Sequence, residues 1–285
     1  VLEEERAWDG KSGFTLSQEY AGGVADFLNN WASPMWRILA GRTILIGAES
    51  GGGKTSVANA FTLSAIEQGI PTLFWQAELP PRTHLLDLWR MRHKYSRTLR
   101  LPKNPTLDDD LEKMLTHPER VKGLRELSHI LRTASRWAKN TPKTQNSCRG
   151  FVVLDYCQII GSAESSSPWQ AIEDVASELT EFAASHDVAL LLLSQSSKGA
   201  QKDKHAEEAK VSEGALRRYA ELCFAGADLK RPAWAAFATA WVPDESGDRQ
   251  RVLIRAKDRG SAWATHSDSS ETHFCRFDLR SDLGG

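Results

Sequence analysis

The run GAESGGGKTS at residues 47–56 restricts the possible folds more than any other stretch of this chain. Upstream, Thr43-Ile44-Leu45-Ile46 is a short apolar, β-branched run that reads as a buried strand, and downstream Ser56 to Glu67 reads as a helix ending at Gly69. Strand, glycine loop and helix form the context in which a phosphate-binding loop works. The glycines let successive backbone N–H groups converge on phosphate oxygens, and the helix N-terminus adds partial positive charge. Lys54 then reaches the β- and γ-phosphates while Thr55 ligates magnesium, so the expected cofactors are ATP and Mg2+. The residues expected to line the phosphates are Ala48, Glu49, Ser50, Gly51, Gly52, Gly53, Lys54, Thr55 and Ser56. Counting back from Lys54, Ala48 stands where the first glycine of such a loop is usual.

A chain of 285 residues with 41% hydrophobic content has the material for one large α/β core. Its 36 Lys and Arg balance 37 Asp and Glu, which removes a global positive field as a means of attracting nucleic acid or membrane. Any nucleic-acid contact must therefore be local. Cys148, Cys157, Cys223 and Cys275 form no CxxC pair, against a disulfide framework or zinc site and in keeping with a reducing, cytoplasmic compartment. The longest apolar run, Val188 to Leu193, suits a buried strand and is far short of a membrane span. The chain opens on Val1 with no basic-then-apolar leader, as expected of a piece processed or excised from something longer.

Residues 1–35 read as an arm or linker helix, with Leu16, Tyr20, Val24, Phe27, Leu28 and Trp31 at helical spacing, and residues 36–285 as one α/β domain. Pro71 to Ala77 is expected to form a second strand. The next seventy or so residues look helical and polar, with a stripe of Val121, Leu124, Leu127, Leu131 and Ala134. Phe151 to Leu154 reads as a third strand, Ile172, Val175, Leu179 and Phe182 as one face of a helix, and Val188 to Leu193 as a fourth strand. Strands alternating with helices imply a doubly wound, mostly parallel sheet with helices on both faces. Ala235 to Trp241, Arg251 to Ala256 and His273 to Leu279 supply up to three later strands.

In such sheets ligands sit at the carboxyl ends of the strands, where this chain offers Glu78, Asp155, Gln195 and, after a late strand, Lys257 and Arg259. Asp155 follows four apolar residues and suits the magnesium shell; a plain loop-capping aspartate is the alternative. Tyr156 follows it, so a different carboxylate must orient the attacking water. Glu78 is the candidate, on the expectation that the second strand ends beside the phosphate loop; a solvated glutamate at a helix start is the alternative. The amide of Gln195 can bond a γ-phosphate or the attacking water. Lys198, Lys202 and Lys204 lie in a polar stretch suited either to gripping nucleic-acid phosphates or to simple solvation. Lys257 and Arg259, two residues apart, are aimed to one side of a strand, either as cations for a phosphate or as a solvated face.

Taken in order, these blocks resemble the RecA-like ATPase domain of DnaB-type replicative helicases, over about residues 35–262. AESGGGKT is similar to that family's alanine-led phosphate loop, and FWQAELP to the strand carrying its catalytic glutamate, matching Glu78. FVVLDYCQII resembles its Asp-Tyr-x-Gln block, matching Asp155 and Gln158. LLLLSQSSK resembles the segment of its γ-phosphate-sensing glutamine, matching Gln195. AKDRG resembles the block whose cations reach into a neighbouring subunit's ATP site, matching Lys257 and Arg259. The resemblance implies a RecA-like P-loop NTPase, a homo-oligomer that is a hexamer in the family, single-stranded DNA as the track, and a primase or loader as partner. It places such a protein in a nucleoid, a phage replication complex or an organellar matrix. A RecA-type recombinase filament and a nucleotide-gated scaffold share the same core. Ser196-Ser197-Lys198 replaces the family's usual Asn-Arg continuation, and no counterpart of its helical N-terminal domain precedes residue 35, as expected of a phage, plasmid or organellar relative or of a fragment.

Overall fold

The sheet is built outward from β1, Thr43–Ala48, whose six residues are all buried. Burial on both faces requires an uninterrupted apolar strand, and TILIGA supplies one. A computed structural model describes residues 40–67, 69–76, 79–93, 108–118, 126–143, 148–155, 168–195, 219, 223–224, 232–243, 249–258 and 274–277. Helix α1, Lys54–Glu67, follows β1, and then come β2, Thr72–Gln76, and helix α2, Pro81–Arg92. Next are α3, Asp109–Met114; β3, Leu115–Thr116; α4, Leu127–Asn140; and β4, Gly150–Asp155. The chain continues through α5, Pro168–His186; β5, Val188–Gln195; β6, Ala235–Pro243; β7, Arg249–Asp258; and β8, Phe274–Phe277.

The eight strands lie in the order β3-β2-β4-β5-β1-β6-β7-β8. From β3 to β6 every neighbouring pair is parallel, whereas β7 and β8 are antiparallel additions at one edge. Strand alternation divides the core cleanly. Ile44, Ile46, Phe74, Phe151, Val153, Leu191 and Leu193 face α1, α2 and α3. Leu45, Leu73, Val152, Leu154, Leu190 and Leu192 face α4 and α5. The expected doubly wound α/β architecture, with helices on both faces, is what forms.

Helix α1 carries buried Val57, Ala58, Phe61, Ala65 and Ile66, so little of its circumference is left for solvent. It stops as the glycine spacing predicts. Gly69 takes φ +70°, its N–H donates to Ile66 O at 2.9 Å and Ile70 N–H to Ala65 O at 2.8 Å, closing the last orphan carbonyls with a Schellman turn. Helix α2 begins with Pro80 at the cap and Pro81 at its first position, where a missing N–H costs nothing.

The region around β2 departs from expectation in two ways. The stretch between β2 and β4 is not purely helical: Leu115 and Thr116 pair in parallel with Thr72 and Leu73 as an edge strand. Two residues are too few for alternation to reveal. Nor does β2 end beside the phosphate loop, since β4 and β5 stand between it and β1. Of the expected apolar stripe, Leu127 and Ala134 are buried in α4, joined by Ile130 and Ala138, and Leu131 is packed against them. Val121 and Leu124 lie outside the described residues, as do residues 1–39, including the expected arm.

Candidate functional site

The phosphate loop occupies the turn from Ala48, fully buried at the end of β1, to Lys54, the first residue of α1. Gly52 tolerates no side chain, because a Cβ there would stand 2.8 Å from Ala48 Cβ and 3.1 Å from Glu49 O. Gly51 and Gly53 both take positive φ, at +76° and +86°. The Gly52 N–H donates to Glu49 O at 3.1 Å, and Val57 N–H to Gly53 O at 3.0 Å starts the helical ladder. Lys54 is buried, and its ammonium folds back over the start of the loop, donating to Ala48 O at 3.1 Å and Glu49 O at 2.9 Å. A cation and a helix N-terminus thus share one glycine-lined turn, an arrangement suited to a polyphosphate.

Asp155 is brought to this loop by α1, which packs across β1, β5 and β4 on its way from β1 to β2. The Thr55 hydroxyl donates to Asp155 Oδ2 at 2.8 Å, and Gln76 Nε2 donates to the same oxygen at 3.1 Å. Asp155 is the last residue of β4 and lies in register with Gln76 at the end of β2. Among the described residues no group of three or more His, Cys, Asp or Glu could hold a metal by itself. A single hydroxyl and a single carboxylate, both hard oxygen donors, suit magnesium shared with substrate phosphates. Gln195, half-buried at the end of β5, lies in register with Ala48 and so borders the loop from the next strand.

Sequence reasoning passed over the groups that brace the loop from below. The phenol of Tyr219 accepts from Glu49 N–H at 3.4 Å and donates to Thr239 O at 3.1 Å, and Thr239 Oγ1 donates to Gly52 O at 3.2 Å. Burial pushes the Tyr219 phenol well above its ordinary range, so it stays an O–H donor. Burial likewise raises the neighbouring Cys223 thiol to about 12, which keeps it uncharged. Gly47 leaves room for the aromatic edge that follows: a Cβ there would stand 2.7 Å from Phe224 Cε1. No local motif marks Tyr219 or Thr239, because they lie 170 and 187 residues along the chain from the loop groups that they bond. The one signal, Thr239 within an apolar strand, is weak.

Several expected site residues lie outside the described residues: Glu78, Lys198, Lys202, Lys204 and Arg259, together with Tyr156 and Gln158. Lys257 is described through its backbone, and its place corrects the expectation that it joins the other candidates at the carboxyl edge of the sheet. Because β7 runs antiparallel to β6, its C-terminal end lies at the opposite edge, with Lys257 across from Ala236, which pairs next to Leu45 of β1. At strand spacings, that is about 10 Å along and about 10 Å across the sheet from Ala48, farther than a lysine side chain reaches.

No protein family and no curated protein matches this sequence. Solved structures do match in fold. One, described as the structure of a DnaB-like replicative helicase and its interactions with primase, superposes with a TM-score of 0.67 at 13% identity, covering 88% of this chain and 58% of that one. Another, described as a helicase ATPase domain, gives a TM-score of 0.62 at 15% identity, covering 100% of this chain and 94% of that one. The chain thus spans a little over half of the DnaB-like helicase chain that it matches. With its parallel block, its phosphate loop after β1 and its acid after β4, this chain has the RecA-like α/β fold of the ATPase domains of DnaB-like replicative helicases.

Proposed function

We propose that this domain hydrolyses ATP between the subunits of a ring and uses the energy to translocate on single-stranded DNA. The observation that carries the nucleotide reading is the 2.8 Å bond between Thr55 and Asp155 at the mouth of the glycine loop. A hydroxyl at the start of the helix and a carboxylate from a nearby strand would together hold the magnesium of MgATP. The metal would supply charge neutralisation on the β- and γ-phosphates.

In this reading Ala48 to Ser56 wrap the phosphates and Lys54 turns from its backbone acceptors to the phosphate oxygens. Gln76 keeps the Asp155 carboxylate aimed at the site. Glu78, two residues further along the chain, orients and deprotonates the attacking water. Gln195 bonds the γ-phosphate and reports its loss. Lys257 and Arg259 act on the site of the adjacent subunit, where a cation stabilises charge in the transition state. What supports that assignment is the direction of β7, which carries Lys257 away from the loop of its own chain. Lys198, Lys202 and Lys204 grip the DNA backbone in the centre of the ring, a local positive lining compatible with a net charge of -1.

ATPase rate with and without single-stranded DNA, on material whose solution mass is measured alongside, tests the reading. A DNA-stimulated rate confined to a closed oligomer is expected. Open helical filaments would favour a strand-pairing recombinase, and nucleotide binding with neither DNA stimulation nor unwinding would favour a nucleotide-gated scaffold. The primase named with the similar helicase is a candidate partner, tested by co-migration on a sizing column.

A further inference from the structure

Beneath the site lies a chain of polar side chains for which phosphate binding has no use. His84, fully buried in the first turn of α2, places its Nε2 2.7 Å from Asn59 Oδ1 on α1 and its Nδ1 2.8 Å from His117 Nε2, just after β3. Its ring also packs 4.2 Å, centroid to centroid, from Phe74 of β2. Each imidazole nitrogen therefore has one fixed role. With Asn59 Oδ1 accepting, His84 carries its proton on Nε2, and its bare Nδ1 accepts from the Nε2–H of His117. The opposite amide orientation reverses every donor and still leaves His84 neutral. The titratable group facing His84 among the described residues is His117; Asn59 and Phe74 are its other neighbours.

Asn59 stands one helical turn beyond Thr55 on α1. His84 N–H donates to Pro80 O at 3.0 Å, so the imidazole is anchored at the very start of α2, the helix that follows β2. Asp155 Oδ2 is held at once by Thr55 from α1 and by Gln76 from β2. Both bonds survive only while α1 and the β2–α2 unit keep one separation, and the His84–Asn59 bond is a second tie between those same two units.

We propose that His84 is a positioning residue for nucleotide hydrolysis, fixing the β2–α2 unit to the phosphate-loop helix through Asn59 and His117. The inference rests on the hydrolytic reading above. Its effect falls on the chemical step and not on phosphate affinity, because none of the three side chains belongs to the phosphate loop.

The test compares wild type, His84→Leu and His84→Gln. Glutamine extends an amide N–H to about the place of Nε2 and can keep the bond to Asn59; leucine cannot. In His84→Leu, kcat is expected to fall roughly 10- to 100-fold, with the dissociation constant of a fluorescent ATP analogue within about threefold of wild type, and His84→Gln is expected to recover most of the rate. Asn59→Ala, read in the same way, serves if the leucine variant does not fold. Equal kcat per binding-competent molecule in wild type, His84→Leu and Asn59→Ala would overturn the inference and leave the hydrolase standing. A wild type that binds ATP without turning it over would remove the hydrolase and this inference together. Independently of turnover, nitrogen-15 spectra of the imidazoles should show His84 as a single neutral tautomer at about pH 5.5, a unit below the ordinary histidine value. Titration of His84 near that ordinary value of about 6.5 would overturn the chain of bonds on which the inference stands.

Discussion

The two edges of the parallel block differ in kind. At the carboxyl edge, Ala48, Asp155, Gln195 and Gln76 come from four different strands and converge, with Thr55 bonded to Asp155 across 100 residues of sequence. At the opposite edge β7 terminates beside Lys257, and the loop of the same subunit is out of its reach. Parallel strands all deliver their last residues to one side, whereas an antiparallel strand delivers its last residue to the other. One subunit thus gathers groups suited to holding phosphate and sends elsewhere a cation suited to stabilising its transfer. If the proposed hydrolysis is right, a complete site draws on two chains.

The largest expected effect tests the carboxyl edge. Glu78→Gln should retain ATP analogue binding and lose turnover by about 10²- to 10⁴-fold; unchanged hydrolysis would remove Glu78 from its role. The opposite edge comes next. Arg259→Ala should lose DNA-stimulated turnover by roughly 10³-fold, and mixing it with Glu78→Gln subunits should restore part of the activity because each defect lies on a different side of an interface. Absence of any complementation across mixing ratios would break the contrast between the edges and argue for a site made within one chain.

A smaller effect is expected beneath the loop. Tyr219→Phe removes the hydroxyl between Glu49 N–H and Thr239 O, and should cost about 1–3 kcal/mol of stability, read as a lowered melting temperature with weakened nucleotide affinity. An unchanged affinity would show that Thr239 alone braces the loop.

The smallest effect is acid sensitivity in the buried imidazoles. Burial, with the charge of His117 second, lowers His84 to about 3, and burial lowers His117 to about 4. Both folded values lie below the unfolded value of 6.5, so between these limits the unfolded chain binds more protons than the folded one. Stability should therefore be complete above pH 6.5 and decline as pH falls toward about 4, by up to about 1.4 kcal/mol per pH unit from His84. Denaturant titrations at about pH 7, 6 and 5 span that window and measure the slope, and its disappearance in a His84→Gln, His117→Gln double variant would assign it.

Much of this arrangement was legible in the sequence because local physics writes it there. GGGKT between TILI and an apolar helix, FVVL before Asp155 and LLLL before Ser194 and Gln195 each announce a buried strand with a polar end. Gly69 announces the helix stop that the structure contains. Illegible were Leu115 and Thr116, too short a strand to show a period, and the bracing by Tyr219 and Thr239, which no neighbouring residue signals. The same holds for the meeting of His84 with Asn59 and His117, three residues from three segments.

Local pattern was thus enough to locate most of the strands and helices, the phosphate loop and the polar residues that end the apolar runs. Hydrophobic period and glycine spacing act over a few residues and need no distant partner. The order of the strands had no such local record, and three features of the site depend on it: β2 is separated from β1, Asp155 is joined to both Thr55 and Gln76, and Lys257 is turned to the far edge. Strand order and direction come from how crossovers pack on the two faces of the sheet, a balance of burial over the whole chain that emerges only when distant segments meet.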